Sequence, residues 1–401
     1  MARGRAKWKR HFEIKTYLSS LLTAIEDVAP AVTRRLGYHA RFRFPDRGFA
    51  RFEEARVPSR MAEPAYAEAL RTLSVANVDK PTGQLGHAGH SDPPGGPSPL
   101  GALAPLEARR ISAIGTDVRV PGHSLLPFDG RSGRLLSVYF EGRADWGLAY
   151  VAPSALRRVR VPGYAWAIPR IGNYYHLMVE HILPVADWLL RHPGEVGAAP
   201  VTLITAGPQD AVRAFVEILA GLGLRIEILT ANALTTYAPD HYLYCRPVSA
   251  SVEHLYAYRP CVEALRAGLL RAGCPTGPER LYVPRTGTRV RRLLGEAELV
   301  GALEARGFQP FTAQWGNVRE QVARFLAARE IVSVHGAALT NLVWAAPGAR
   351  IVELFPANAR KTTYLHMASQ HDQGYACAIG GRENERQDFP IDPRAVLGIL
   401  G

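Results

Sequence analysis

Cysteine is scarce: Cys245, Cys261, Cys274 and Cys377 are the four in 401 residues, and none belongs to a C-x-x-C pair. That spacing suits a reduced cytosolic protein better than a disulfide scaffold or a zinc site. No run of about 18 apolar residues occurs, so no transmembrane anchor is expected. The N-terminus, MARGRAKWKRHFEIKTYLSSLL, lacks the compact apolar core of a signal peptide. No G-x-G-x-x-G follows an early strand, which argues against an NAD-dependent oxidoreductase. No D-x-D appears, so a metal-chelated diphosphate is not favoured. His11, His87 and His90 are too scattered for a metal site. Nothing resembles a DNA- or RNA-binding signature, and nucleic acid is not an expected partner.

What is present is a globular composition, 47% apolar and 21% charged, with a formal charge of +12 and a pI near 9.7. Such a balance favours anionic partners: nucleotide-sugars or anionic lipid surfaces. Basic residues precede Phe12, Ile14, Tyr17, Leu18, Leu21 and Leu22, which fits either peripheral contact with an anionic membrane or a solvated helix end. The length allows two domains. Residues 1–79 read as a basic, mostly helical segment, including Ala62–Leu73. Residues 80–101, dominated by Gly, Pro and Ser, read as a linker unable to bury enough apolar surface to order itself.

From residue 102 strand and helix signals alternate. Ser137–Phe140, Ala165–Pro169, Val201–Thr205 and Leu224–Leu229 read as strands. Tyr174–Leu190 reads as a helix bent by Pro184. Asp210–Leu222 reads as an amphipathic helix closed by Gly223. A second series follows an irregular stretch near 245–278: strand Leu281–Val283, helix Glu296–Arg306, a helix opened by an Asn317-x-x-Glu320 capping box, then the Ile331–Phe355 unit. That unit is a buried strand, a small-residue turn at His335-Gly336-Ala337-Ala338, a helix over Ala338–Trp344, a Pro-Gly break and a strand containing Glu353. Two such series predict two Rossmann-like lobes, 102–270 and 271–401, with ligands outside the carboxyl ends of the strands.

Three segments carry chemistry. At His335-Gly336 the backbone turns with little side-chain bulk, and a helix N-terminus there would suit phosphate, although the pattern also describes an ordinary packing unit. His176 and Glu180 are four apart on one helix face. A carboxylate beside an imidazole orients a general base, while the same pair also serves as a polar cap or a satisfied buried histidine. His-x-x-x-Glu spacing could supply two metal ligands, but no third ligand has matching spacing. Arg285, just past a strand end, and Arg289, Arg291 and Arg292 could fork onto a diphosphate or line a solvated loop.

The wording HGAALTNLVWAAPGARIVEL resembles the C-terminal signature of glycosyltransferase family 61, usually HGAGLTN, then a PPG-type turn and a strand ending in VEL; Ala338 stands for the second Gly. NYYHLMVEHILP resembles the family's N-[YF]-[FY]-H-W-x-x-[ED]-x-x-P pattern, with Leu177 for Trp. YVPR followed by RRLLGE resembles its YVSR and RR-[IL]-[LIV]-NE, with Pro284 for Ser and Gly295 for Asn. Together they cover roughly 172–378. The resemblance implies an α/β, GT-B-like enzyme, two lobes facing a central cleft, transferring a sugar with inversion from a nucleotide-sugar to an oligo- or polysaccharide hydroxyl, without metal or other cofactor. It implies His176 with Glu180 as base, and Arg285, Arg292, His335, Gly336, Ala337, Thr340, Asn341 and Glu353 as donor contacts, with Thr340 and Asn341 alternatively capping the helix. A cytoplasmic role in cell-surface polysaccharide assembly, at or near the inner membrane, follows as an expectation. A nucleotide-sugar epimerase, a pyruvyl transferase or a non-catalytic nucleotide-sugar-binding relative are the alternatives.

Overall fold

A computed structural model describes residues 49–58, 63–64, 66, 68–69, 73, 107–131, 157–169, 173–196, 199–206, 210–247, 258–274, 277–288, 290–358 and 361–401. The basic N-terminal stretch with His11, the 80–101 linker with His87 and His90, the Ser137–Phe140 strand and Arg289 lie outside the described residues.

Around the first sheet, β1 (Phe49–Pro58), β2 (Glu107–Gly115), β3 (Val118–Pro121), β4 (Phe128–Asp129), β5 (Arg157–Ile168), β6 (Val201–Thr205), β7 (Ile226–Thr230) and β8 (Thr235–Pro247) assemble in the order β1-β2-β8-β5-β6-β7, with β3 pairing β8 and β4. Strands β5 to β8 are mutually parallel, and β1 and β2 add an antiparallel edge. The winding therefore reverses beside β5, whose carboxyl end leads to Asn173 and helix α1. β5 bends at Pro162-Gly163, where Gly163 takes φ +70° and the register with β8 slips between Val161 and Tyr164.

Helix α1 begins as Tyr174–Leu177, passes through a π-helical turn at Met178–Ile182 and continues as Leu183–Arg191. The π turn lies directly before Pro184, so the helix runs on past the proline instead of ending there. α2 (Asp210–Gly221) buries Val212, Phe215, Val216 and Leu219, and Gly223 at φ +86° ends it. The stretch read as irregular near 245–278 contains the end of β8 and helix α3 (Arg259–Arg271).

The second sheet comprises β9 (Arg280–Val283), β11 (Gln309–Pro310), β12 (Glu330–Val334), β13 (Arg350–Phe355) and β14 (Gly374–Ile379), all parallel, in the order β11-β9-β12-β13-β14. A small ladder, β10 (Leu293–Leu294) with β15 (Phe389–Pro390), flanks it, and α4 (Glu296–Glu304), α5 (Val318–Ala327), α6 (Thr363–Gln370) and α7 (Pro393–Leu400) complete the unit. Winding reverses between β9 and β12, the place where a doubly wound sheet opens a crevice at its carboxyl ends. One hydrophobic cluster contains Trp166, Leu203 and Phe215 on one side and Leu281, Phe325, Ile331 and Ile351 on the other, so the two sheets share a core through the helices between them.

The segment 1–79 contributes a strand as well as helical turns. After β1 the chain crosses to the second sheet, where Tyr66, Ala69 and Leu73 pack on Phe355 and Leu365, and Tyr66 Oη donates to Gln373 O at 3.1 Å. Burying Leu73 there contributes about 2 kcal/mol. None of the four cysteines forms a disulfide, and no described helix is long and apolar enough to cross a membrane.

Candidate active site

β9 and β12 are neighbours with Val283 opposite Ser333, so the residues just beyond them, Arg285 and His335, emerge side by side. Arg285 Nη1 donates to His335 O at 2.9 Å and Nη2 to Val290 O at 3.3 Å. Gly336 has extended backbone, φ 177°, so glycine is not required there for conformation. It is required for space: a Cβ would stand 1.9 Å from Arg285 Nη1. The guanidinium lies over the bare Cα. After Gly336 the expected helix forms over Ala337–Val343, as a 3-10 helix. Ala337 and Ala338 are half-buried against the core.

His335 is itself buried and its ring stacks on Phe355 at 5.1 Å and 24°. Its Nδ1 meets Glu353 Oε1 at 2.5 Å, and Glu353 Oε2 accepts from Tyr375 Oη at 2.5 Å. Both oxygens of this fully buried side chain are engaged inside the protein, and burial pushes its pKa well above the usual carboxylate range. Burial pushes His335 well below the usual imidazole range, and the neighbouring Arg291, Lys361 and Arg285 charges push the same way. The imidazole is therefore neutral at pH 7.

Those three cations form the distinctive electrostatics of the site. Arg285 makes both its hydrogen bonds to carbonyl oxygens. Burial, reinforced by repulsion from Arg291, lowers its pKa to about 10. The Nε atoms of Arg285 and Arg291 are buried without hydrogen-bond partners. Clustered like charge raises the free energy of the site, and a bound anion would offset it.

Arg292, expected here beside Arg285, points elsewhere. Its Nε and Nη2 donate to Asp388 Oδ2 at 3.0 and 2.6 Å, and its N–H to Asp388 Oδ1 at 2.8 Å, pinning β10 to β15. Arg291 takes the inward place because its backbone adopts the left-handed conformation, φ 60°, with its N–H donated to Arg386 O at 2.9 Å. Gly295 at φ 72° explains one departure from the family wording, since Asn is the other residue that enters this region readily. Nothing in the structure explains Pro284 for Ser.

The other wall is the start of α1. Asn173 Oδ1 accepts from Tyr175 N–H at 2.9 Å and so caps the helix. His176 Nδ1 meets Glu180 Oε1 at 2.7 Å, and the second oxygen of buried Glu180 has no hydrogen-bond partner. The rings of His176, Tyr175, Tyr364 and His335 follow one another at centroid spacings of 5.5, 6.3 and 5.5 Å. The two His–Glu pairs thus stand at opposite ends of one aromatic series.

Thr340 and Asn341 are fully buried. Thr340 lies against Tyr364. Asn341 Oδ1 accepts from Tyr174 Oη at 2.7 Å, and its Nδ2 donates to Gln321 Oε1 at 2.8 Å and Ala338 O at 2.9 Å. Asn341 therefore ties the turn after β12 to the first residue of α1, and none of its polar atoms faces outward.

This arrangement coincides with a recognisable unit. The family model for glycosyltransferase 61 matches residues 174–352. The match supports a glycosyltransferase 61 domain, beginning at the first helical residue of α1 and ending within β13. No curated protein matches the chain. Lys361, Tyr364 and Tyr375 lie beyond the glycosyltransferase 61 match and escaped the sequence reading, because no motif contains them. Arg291 carried a signal, the Arg-Arg pair, but which arginine turns inward depends on a backbone angle. Among the described residues no three His, Cys, Asp or Glu side chains converge as a metal site needs.

Proposed function

We propose that the protein is an inverting glycosyltransferase of GT-B-like arrangement, moving a sugar from a nucleotide-sugar to a hydroxyl of a glycan. The observation that carries this reading is the convergence of Arg285, Arg291 and Lys361 on the neutral His335, across Tyr364 and Tyr175 from His176. The family match supports a nucleotide-sugar donor and a glycan acceptor in general.

In the reaction, His176 takes the proton of the acceptor hydroxyl, with Glu180 holding its Nδ1 side. The acceptor oxygen bonds to the anomeric carbon as the bond from that carbon to the nucleoside diphosphate breaks. The electron pair leaves on the diphosphate, where Arg285, Arg291 and Lys361 stabilise the charge. Such groups act chiefly by positioning and electrostatics, and each charge-assisted hydrogen bond is worth about 1.5–3 kcal/mol. Glu353, Tyr375 and Phe355 fix His335 rather than touch the donor. A glycan acceptor at the cell surface and a cytoplasmic site of assembly belong to the same proposal.

The test is thermal stability against a panel of nucleoside diphosphates and nucleotide-sugars, followed by release of the nucleoside diphosphate in the presence of glycan acceptors. A ligand at 100 times its Kd adds about 2.7 kcal/mol. A selective shift with acceptor-dependent release supports the proposal. An epimerised free sugar nucleotide, or no shift with any of the panel, defeats it.

A further inference from the structure

Trp315 is a large side chain left 40% exposed, at the start of a short 3-10 turn, Trp315–Asn317, whose neighbours are cross-linked by hydrogen bonds. Gln314 N–H donates to Asn317 Oδ1 at 2.8 Å, Asn317 Nδ2 to Thr312 O at 3.0 Å, and Gln321 Nε2 to Gln314 O at 2.6 Å. Arg324 covers Phe311 at 4.6 Å. The bracing runs on into the site, since Gln321 Oε1 accepts from Asn341 Nδ2 and Asn341 from Tyr174. Trp315 itself lies edge-on to Tyr174 at 6.1 Å. On its other flank, Thr312 Oγ1 and Thr286 Oγ1 are 3.2 Å apart, joining this loop to the residue after Arg285. The loop follows β11, whose partner is β9, so Trp315 stands at the same carboxyl edge as the cation cluster.

We infer that Trp315 is the platform on which the base of the donor nucleotide stacks. This rests on the nucleotide-sugar reading and extends it to the part of the ligand that the arginines do not recognise. A nucleoside diphosphate is short, so its base must lie within about a ribose of the phosphates, and the contact of Thr312 with Thr286 puts the start of the Trp315 segment beside the Arg285 loop. An aromatic face suits a base because every base presents a π-face, and stacking of this kind is worth roughly ten- to a hundredfold in affinity. Asn341 and Gln321 then act as positioning residues: they hold the platform.

The experiment is calorimetric titration of wild type, Trp315→Ala and Trp315→Phe with UDP, GDP, CDP and ADP, and with inorganic pyrophosphate, which has no base. Melting temperature and circular dichroism check the fold of both variants. The expected result is a ten- to hundredfold loss of nucleoside diphosphate affinity in Trp315→Ala, pyrophosphate affinity unchanged, and Trp315→Phe close to wild type. Wild-type binding of a nucleoside diphosphate that Trp315→Ala retains in full overturns the platform alone. A parallel loss for pyrophosphate also overturns it, since the effect is then not on the base. So does unchanged nucleotide affinity with a raised acceptor KM, which assigns Trp315 to the acceptor. If wild type binds no nucleoside diphosphate, the donor reading itself fails, and the platform with it.

Discussion

Replacing Gly336 with alanine isolates the contact between Arg285 and the turn after β12, which the proposed function assigns to diphosphate binding. The new methyl carbon would stand 1.9 Å from Arg285 Nη1, whereas ordinary contacts begin near 3.4 Å, so about 1.5 Å of movement is required. The guanidinium is the far end of a flexible side chain and gives way before the backbone does. It then loses its bond to His335 O, at a cost of about 1.5–3 kcal/mol. The extended backbone at Gly336 accepts alanine, and the smaller unfolded ensemble returns about 0.4–1 kcal/mol. Net stability should fall by about 0.5–2.5 kcal/mol. Nucleoside diphosphate affinity should fall by the equivalent of about 1.5–3 kcal/mol, the worth of one charge-assisted hydrogen bond. Calorimetry on Gly336→Ala, Arg285→Ala and the double variant reads this as a cycle. Because the methyl acts through Arg285, the double variant should bind no worse than Arg285→Ala. Additive losses would refute the reasoning, and so would a folded Gly336→Ala protein that binds like wild type.

The two neighbouring arginines should separate cleanly. Arg291→Ala should weaken diphosphate binding by about 1.5–3 kcal/mol with little change in melting temperature, whereas Arg292→Ala should lower the melting temperature by stranding buried Asp388 and leave binding near wild type. His176→Ala should abolish transfer while leaving diphosphate affinity intact, and Glu180→Gln should reduce kcat by about a hundredfold through the base it orients; surviving turnover would place the base elsewhere. Burial pushes His366 down to about 4, and burial with the Arg266 and Arg259 charges pushes His371 down to about 3. Both lie below the unfolded value, so the unfolded chain takes up protons first and stability falls with pH below about 6.5, by about 1.4 kcal/mol per unit for each histidine. Urea midpoints between pH 7 and 5 should therefore drop, and the drop should shrink in His366→Gln.

The local elements were legible because their signals are local. Val201–Thr205 and Arg350–Phe355 end where apolar runs end, and the buried face of α2 follows the helical period. Gly223 and Gly307 close helices at φ 86° and 81°, conformations that favour glycine. The His176–Glu180 pair follows from helix geometry alone. Other features have no such mark. Asn317 was expected to cap α5, but its side chain braces the turn before it, because Gln314 and Gln321 compete for the same oxygen. A helix after His335 was legible, but its 3-10 type was not, because seven residues fit either helix type.

The amino-acid sequence by itself determined the βα alternation, the His-Gly turn and the presence of arginines beside a strand end, since each depends on neighbours a few residues apart. Only the tertiary structure decided which of those groups meet. Sheet order places Arg285 against His335, fifty residues away. A left-handed backbone at Arg291 turns that arginine inward and gives Arg292 to Asp388. Glu353 is buried between His335 and Tyr375 and is hydrogen-bonded to both. Long-range pairing, desolvation and the competition of charges for partners settle such matters, and none of them is written in the spacing of residues along the chain.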